Sequence, residues 1–590
     1  MNIVLLFRNS VRNISKAFVR FPLTCVLLLT VLVLTLMDVN VMLPQFLHES
    51  IALWVAVFLS LAVTLVIEGT KRRIWIIACA YAGVVLMSVG YYAIIQGGPF
   101  ELIEATRFGV ILGVLLLASL VIPVLRHKAV FNEVFLSFFK GFFTTGFFVG
   151  VAYGGIMAIL GAVDNLLFRL PETTYMYVSL SVWIFCAPIV FLSLVPSFGN
   201  QEETERNQRL CTMPGFLRIM LMYVVIPLAY VYTLVLVLYV IRTLVMGEAH
   251  TLLYPMSLTY FSVVLMIYIL TGTIENKLIR ISRFLFPKLM LAISLYTSIQ
   301  LFLEIPKFGV TNTTYYAILY TIYSLAVGVI TIFLPIKRNE ILAMILSGLL
   351  VISIIPPVDS FTASTSSQTR IVEEVLLRND MRDGDKIVSN ASISEDDKAR
   401  LRTAMAYLDE INAPQLIRGV PEYFSYYSDF SMTFGFDVYP DYNQRNDNVK
   451  EFSYQMNRRK PVLMPDGGYL FVFGWTSGTS TLDERSIGVI EHNGQEYTLY
   501  LLTGPERYEI ELRLDEEALL NVSAYEARQA LIDSGVVPGS FSQIPPQNMT
   551  FAMESEEASM EIVFSSMEGF DAEDEKSMNT DIVVLVYFKE

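Results

Sequence analysis

Long apolar runs dominate the first 356 residues, and alternating short runs dominate the rest. A helix needs ~20 apolar residues to cross ~30 Å of hydrocarbon. Segments 21–41, 50–67, 74–95, 105–125, 141–163, 175–196, 216–241, 254–272, 284–304, 314–334 and 340–356 meet or approach that length. The pattern therefore predicts about 11 membrane spans over 21–356. Residues 357–369 form a polar, serine- and threonine-rich stretch, read as an extended linker, and residues 370–590 form a soluble domain.

In the soluble part, Ile371, Val372, Val375 and Leu376 suggest a short helix. A second starts at Ser394 as N-cap, with Glu395, Asp396 and Asp397 in its first turn and an apolar stripe of Leu401, Met405, Leu408 and Ile411. Period-two alternation then predicts strands over 469–475, 487–491, 497–502 and 508–514, with Asn493-Gly494 as a two-residue hairpin turn. A helix near 515–533 and strands near 549–553, 559–565 and 581–588 complete an α+β domain with a mostly antiparallel sheet.

Charge sharpens this division. Residues 1–356 hold 23 Lys+Arg and 15 Asp+Glu, a formal +8, whereas the remainder holds 19 and 41, a formal −22; together they give the chain its −14. The acidic part lacks the basic stripe that phosphate contacts need, which argues against a nucleic-acid partner. The basic residues of the membrane part are also sorted. Alternate connections carry Arg8/Arg12/Lys16/Arg20, Lys71/Arg72/Arg73, Arg126/Lys128/Lys140, Arg206/Arg209/Arg218, Lys277/Arg280/Arg283 and Lys337/Arg338, while the intervening ones carry Arg107, Arg169, Arg242 and Lys307. That is 18 against 4, so the positive-inside rule puts the N-terminus in the cytoplasm and the acidic domain, after an odd number of spans, on the other side. Residues 1–20 read as a basic amphipathic helix for the cytoplasmic membrane surface, with Phe7, Val11, Ile14, Phe18 and Phe21 on one face.

The candidate chemistry is sparse. Gly146, Gly150 and Gly154 recur at four-residue intervals, which predicts close helix packing. Pro188 and Pro227 should kink their spans. Charges sit at span ends rather than mid-membrane, which disfavours an ion-coupled pump. Tyr423, Tyr426, Tyr427, Asp429, Asp437 and Asp441 mix aromatic faces with carboxylates, a composition that can bind sugar or peptide and that equally serves core packing. The four cysteines lie in or beside apolar segments, and the histidines are scattered, so no metal site and no cofactor is expected. His492 beside its hairpin turn is not placed as a catalytic base, and no Ser-His-Asp or Cys-His arrangement is evident. The acidic run 568–575 lacks the ligand alternation of a calcium loop.

The basic N-terminal flank, the multi-span bundle, Glu275-Asn276-Lys277 through Pro287-Lys288, Tyr407-Leu408-Asp409 and Phe434-Gly435-Phe436 together resemble the bacterial membrane-protein family known as domain of unknown function number 4153. The resemblance implies a bacterial inner-membrane location with the soluble domain in the periplasm, and it brings no reaction or site residue. On this reading the partners are the lipid bilayer and an envelope protein or glycan. The leading function is a non-enzymatic envelope anchor or binding protein. The alternatives are a transporter or flippase for a lipid-linked or neutral solute, and a membrane enzyme using an external carboxylate: Asp38, Glu49, Glu101 or Glu104.

Overall fold

A computed structural model of the chain describes residues 14–39, 45–68, 74–96, 102–198, 204–246, 253–421, 424–436, 438, 449–456, 469–477, 483–504, 507–515, 517–534, 543–572 and 576–589. The chain divides into two compact units, Met1–Gln368 and Thr369–Glu590. That division falls at the end of the serine-rich stretch, beside the boundary expected from composition.

The first unit is a helical bundle. Its helices are α1 (Ile14–Arg20), α2 (Pro22–Asp38), α3 (Leu47–Ile67), α4 (Ile74–Ile95), α5 (Leu102–His127), α6 (Phe131–Leu166) and α7 (Thr173–Leu194). They are followed by α8 (Thr204–Cys211), α9 (Gly215–Met246), α10 (Leu253–Leu270), α11 (Lys277–Phe308), α12 (Asn312–Phe333) and α13 (Glu340–Ile352). Among the described residues nine helices are long and apolar enough to cross a membrane, and up to ten if α1 and α2 make one span. The eleventh predicted segment is also helical, but α13 has only 13 residues. Helices α1 and α2 meet at 102°. Pro22 opens α2, where its missing N–H costs nothing, and buried Phe21 stands at the corner. Of the amphipathic helix expected over 1–20, residues 1–13, with Phe7 and Val11, lie outside the described residues.

The two prolines disturb their helices locally, as a missing N–H requires. Pro188 and Pro227 lie in continuous helices, and the turn before each widens to a π-helix, Ser181–Cys186 and Leu221–Val225. A proline clashes with the carbonyl four residues back and cannot donate to it. Widening the preceding turn relieves that clash within one helix.

Two buried clusters hold the bundle together. One joins α2, α3, α5, α6 and α7 through Phe21, Leu28, Leu65, Phe131, Val134 and Ile189. The other joins α9 to α13 through Ile226, Tyr260, Phe261, Phe286, Val327 and Leu342. A close glycine contact is at Gly328 of α12, where an added Cβ would lie 3.0 Å from Leu291 Cβ of α11. At Gly146, Gly150 and Gly154 an added Cβ would meet nothing within 4 Å. The packing expected of that spacing is not made within the described chain, because these positions look out of the bundle rather than into it.

The polar stretch 357–369 is not extended. Helix α14 (Ser360–Arg378) starts inside it, with the Asp359 carboxylate accepting from the Thr362 N–H at 3.3 Å. Serine and threonine are weak helix formers, so tertiary bonds decide the outcome here. The Val310 N–H donates to Ser367 Oγ at 2.9 Å, and Gln368 Nε2 donates to the carbonyls of Phe308 and Val310 at 3.0 and 2.9 Å. Those carbonyls lie at and just beyond the C-terminus of α11, where a helix leaves its acceptors without internal partners.

The second unit has a helical part and a sheet part. Helix α15 (Glu395–Glu410) begins at Ser394, whose Oγ accepts from the Asp397 N–H at 3.2 Å, and Leu401, Met405, Leu408 and Ile411 are buried as the stripe predicts. A two-residue hairpin (β1 Arg382–Asp383, β2 Lys386–Ile387) precedes it, and helix α16 (Tyr426–Phe434) follows. The sheet part holds β3 (Val449–Met456), β4 (Tyr469–Ser477), β5 (Asp483–His492), β6 (Gln495–Gly504), β7 (Arg507–Leu514), β8 (Glu517–Ser523), helix α17 (Ala524–Asp533), β9 (Gln543–Ile544), β10 (Thr550–Glu554), β11 (Ala558–Ala572) and β12 (Lys576–Phe588). One sheet runs β4-β12-β11-β3-β9, with β10 also on β11; the other runs β5-β6-β7-β8. All pairings are antiparallel except β3 with β9. Both sheets contribute to one core, including Leu499, Ile510, Met560, Ile562, Phe564 and Val584. Tyr508 and Thr580 share a buried 2.7 Å hydroxyl contact between them. Residues 517–523, expected as the start of a helix, form strand β8, and the helix begins only at Ala524. Asn493 and Gly494 both have positive φ, as the predicted hairpin turn requires.

Candidate functional site

Polar contacts between helix ends sort the bundle into two faces. At the basic face, Arg20 pairs with Glu68 and donates to the carbonyls of Val195 and Pro196 at 2.6 and 2.8 Å. His127 Nε2 lies 3.1 Å from the Leu65 carbonyl, and Lys140 donates to the Thr212 carbonyl. Asn339 donates to Asn132 Oδ1 at 2.8 Å, and Asn132 donates to the Ile336 carbonyl at 3.3 Å. Gly272 makes room for this junction, since a Cβ there would collide with the Asn132 side chain.

At the opposite face, the Tyr92 hydroxyl donates to Glu49 at 2.8 Å, Arg107 approaches Asp359 at 3.9 Å, and Ser367 and Gln368 hold the 308–310 turn. The Tyr315 hydroxyl donates to the Val358 carbonyl at 2.6 Å, and the Tyr316 and Ser353 hydroxyls lie 3.4 Å apart. Every one of these contacts joins segments that the charge pattern assigns to one side. Helix α13 therefore begins at the basic face, beside Asn132, and the chain after it emerges at the other, beside Arg107 and Val310. Short as it is, it carries the chain from one face to the other.

Two features at this second face have the character of a site. The first is a cavity of about 640 Å³ between α10, α12 and α13. It lies near the N-terminal turns of α10 and α12, at Pro255 and Thr313, and near the C-terminal turn of α13, at Leu349 and Leu350. Leu258, Ala317, Leu319 and Leu346 line it, together with the hydroxyl groups of Thr259, Ser262, Tyr316 and Tyr320. The second is a polar shell around the start of α14. Arg107 Nε, Asn312 Oδ1, Asp359 Oδ1, Ser360 Oγ, Ser364 Oγ and Gln368 Oε1 are buried there and make no hydrogen bond within the described residues. Buried polar atoms of this kind require water or a polar ligand group.

No run of residues along the chain signals the cavity, because its walls come from three separated helices. The polar shell shows in the chain only as a composition, the run of serines and threonines that predicts an extended linker.

Of the aromatic–carboxylate group, Tyr426, Tyr427 and Asp429 fall in α16, while Tyr423, Asp437 and Asp441 lie outside the described residues. The Tyr426 and Tyr427 rings are 5.3 Å apart, but Tyr426 is buried with Phe430, Phe434 and Phe436, and only Tyr427 is exposed. Asp429 is buried and accepts from the Ser425 N–H at 2.9 Å, closing the first turn of α16. Its neighbour Asp409 accepts from the Tyr426 N–H at 3.2 Å, and burial, opposed by that bond and reinforced by the Asp429 charge, raises its carboxyl above the ordinary aspartate value. This part of the stretch is core and cap rather than an open binding face.

Two of the carboxylates expected in outer loops are also engaged. Asp38 accepts from the N–H groups of Gln45 and Phe46, and Glu49 accepts from Tyr92. Glu101 lies outside the described residues. His492 stacks on Phe588 with ring centroids 4.3 Å apart, which ties it to the end of β12. Residues 573–575 of the acidic run lie outside the described residues.

The chain matches no protein-family model, no curated protein and no solved structure. The resemblance to domain of unknown function number 4153 therefore rests on the quoted residues alone, and function has to be argued from the geometry.

Proposed function

We propose that this chain is a multi-pass protein of a bacterial inner membrane that presents residues 370–590 in the periplasm to bind another envelope component, a protein or a glycan. The observation that carries the reading is the path of α13, from Asn132 at the basic face to Arg107 and Val310 at the opposite one. With the basic face in the cytoplasm, as the loop charges require, residues after 352 leave on the outer side. The second unit offers two sheets packed on one core, the kind of rigid support on which a binding surface can be carried.

Single cysteines introduced at exposed Asp396 and at Lys128, in a chain with its four native cysteines replaced, test the arrangement. A membrane-impermeant maleimide should label position 396 in intact spheroplasts and position 128 only after lysis. The reverse pattern would place the acidic domain in the cytoplasm and end the proposal. Capture of a defined envelope protein or glycan by the full chain, lost when residues 370–590 are removed, tests the binding role.

The cavity favours a second reading, passage of a lipid-linked or neutral solute. Flux of such a solute in liposomes that depends on the chain would support it over simple anchoring.

A further inference from the structure

We propose that the cavity between α10, α12 and α13 seats one acyl chain of a phospholipid, drawn from the leaflet at the face where Arg107 and Asp359 lie. The argument begins with its surroundings. Helices α10 and α12 are long and apolar enough to cross a membrane, so the medium around this opening is hydrocarbon rather than water. At about 640 Å³ the space is within the range of small-molecule sites, roughly 300–1,000 Å³. An apolar space of that size left empty would forfeit the dispersion contacts of every side chain that lines it. Lipid is the occupant always at hand.

The wall chemistry narrows the occupant further. Five of the lining side chains are leucines, joined by Ala317 and Pro255. Four of the five lining hydroxyls, those of Thr259, Ser262, Tyr316 and Tyr320, already bond within the protein, and the fifth, Thr313, stands at the mouth. Thr259 donates to the Pro255 carbonyl at 2.8 Å, and Ser262 donates to the Leu258 carbonyl at 3.0 Å. Tyr320 contacts both Ser262 and the Leu258 carbonyl, and Tyr316 meets Ser353. A sugar or other polar solute would find those donor hydrogens already used and would set most of its own hydroxyl groups against leucine side chains. A hydrocarbon chain asks for neither.

Position selects the leaflet. Pro255 and Thr313 stand in the first turns of α10 and α12, and Leu349 and Leu350 in the last turn of α13. These are the helix ends at the Arg107 face. A chain entering there has its headgroup at the level of exposed Pro255 and Thr313. This inference does not depend on which face lies in the cytoplasm.

The test uses the full chain in nanodiscs containing a trace of phosphatidylglycerol with a nitroxide near the end of one acyl chain. A motionally restricted component of about one lipid per chain is expected in addition to the boundary lipid. Ala317→Trp, which fills the cavity, should remove that component, while Ala152→Trp on the exposed surface of α6 should leave it. An unchanged component in a folded Ala317→Trp chain overturns the proposal. A second measurement needs no substitution: a phospholipid with a diazirine on its acyl chain should crosslink preferentially to 255–262, 313–320 and 346–350. Crosslinks spread evenly over the exposed helices, or displacement of the phospholipid by a long-chain isoprenyl phosphate at equimolar level, would equally overturn it.

Discussion

The Asn339 carboxamide donates to the Asn132 carboxamide at 2.8 Å, tying the start of α13 to the start of α6. Both residues are buried, and Asn132 passes the connection on to the Ile336 carbonyl. Asn132→Ala should cost about 1–3 kcal/mol, the penalty for leaving buried donors and acceptors unsatisfied. Gly272→Ala should act in the same direction, because its methyl group would displace the Asn132 side chain. Thermal unfolding of the detergent-solubilised chain measures both. The double variant should lose clearly less than the two losses added together, since both act on one junction.

Arg20 is the second anchor of the basic face. It is largely buried, pairs with Glu68, and reaches two carbonyls beyond α7. Removing one partner of a buried pair costs about 3–5 kcal/mol, so Arg20→Ala should destabilise the bundle by a few kcal/mol. Arg20→Lys should restore little, because an ammonium cannot present the planar fork that serves three partners. Limited proteolysis near α1 should accelerate in both variants.

Asp409 predicts a pH dependence with a defined sign. Its folded-state carboxyl is raised above the ordinary aspartate value by burial, with the Asp429 charge adding to the effect. The folded form thus holds the proton more tightly than the unfolded form. The stability this contributes is complete below the ordinary aspartate value and is lost as pH rises through the raised one. Asp409→Asn keeps an oxygen for the Tyr426 N–H and removes the charge. It should flatten the mildly acidic part of the stability profile and leave neutral-pH stability equal or higher. Hydrogen exchange across α15 and α16 as a function of pH provides the readout.

Cys211 ends the short helix α8, and burial, with the Glu133 charge adding to it, pushes its thiol up to about 11. The thiolate is the reactive form, so labelling by maleimide at neutral pH should be slow. The rate should rise about tenfold per pH unit below that value, and a rate at neutral pH like that of an ordinary exposed thiol would contradict the burial.

Membrane helices and loop charges were legible because a bilayer imposes a length and a sign. All eleven predicted segments are helical, and Ser394 and the Leu401–Ile411 stripe stand where the pattern put them. What failed was information about partners. The glycines at 146, 150 and 154 carry a packing spacing, yet among the described residues no helix comes to them, while Gly328, alone in its segment, meets Leu291. The serine-rich stretch reads as a linker until the bare carbonyls at the end of α11 supply acceptors for Gln368. Strand β8 lies inside a predicted helix because pairing with β7 outweighs local propensity. The cavity is hidden for the same reason: its lining is assembled from segments nearly a hundred residues apart.

The brevity of α13 has a physical consequence for the membrane around it. Thirteen helical residues rise only ~20 Å, against a hydrocarbon layer of ~30 Å. Such a mismatch is met by drawing the bilayer in locally or by letting polar backbone sit below the headgroups, sheltered by protein. Between buried Ser353 and Asp359, the turn that follows exposes Ile355, Pro356, Pro357 and Val358, which adds only a short apolar extension to α13. The protein should accordingly favour thinner bilayers, and lipids beside this turn should be pulled out of their ordinary level.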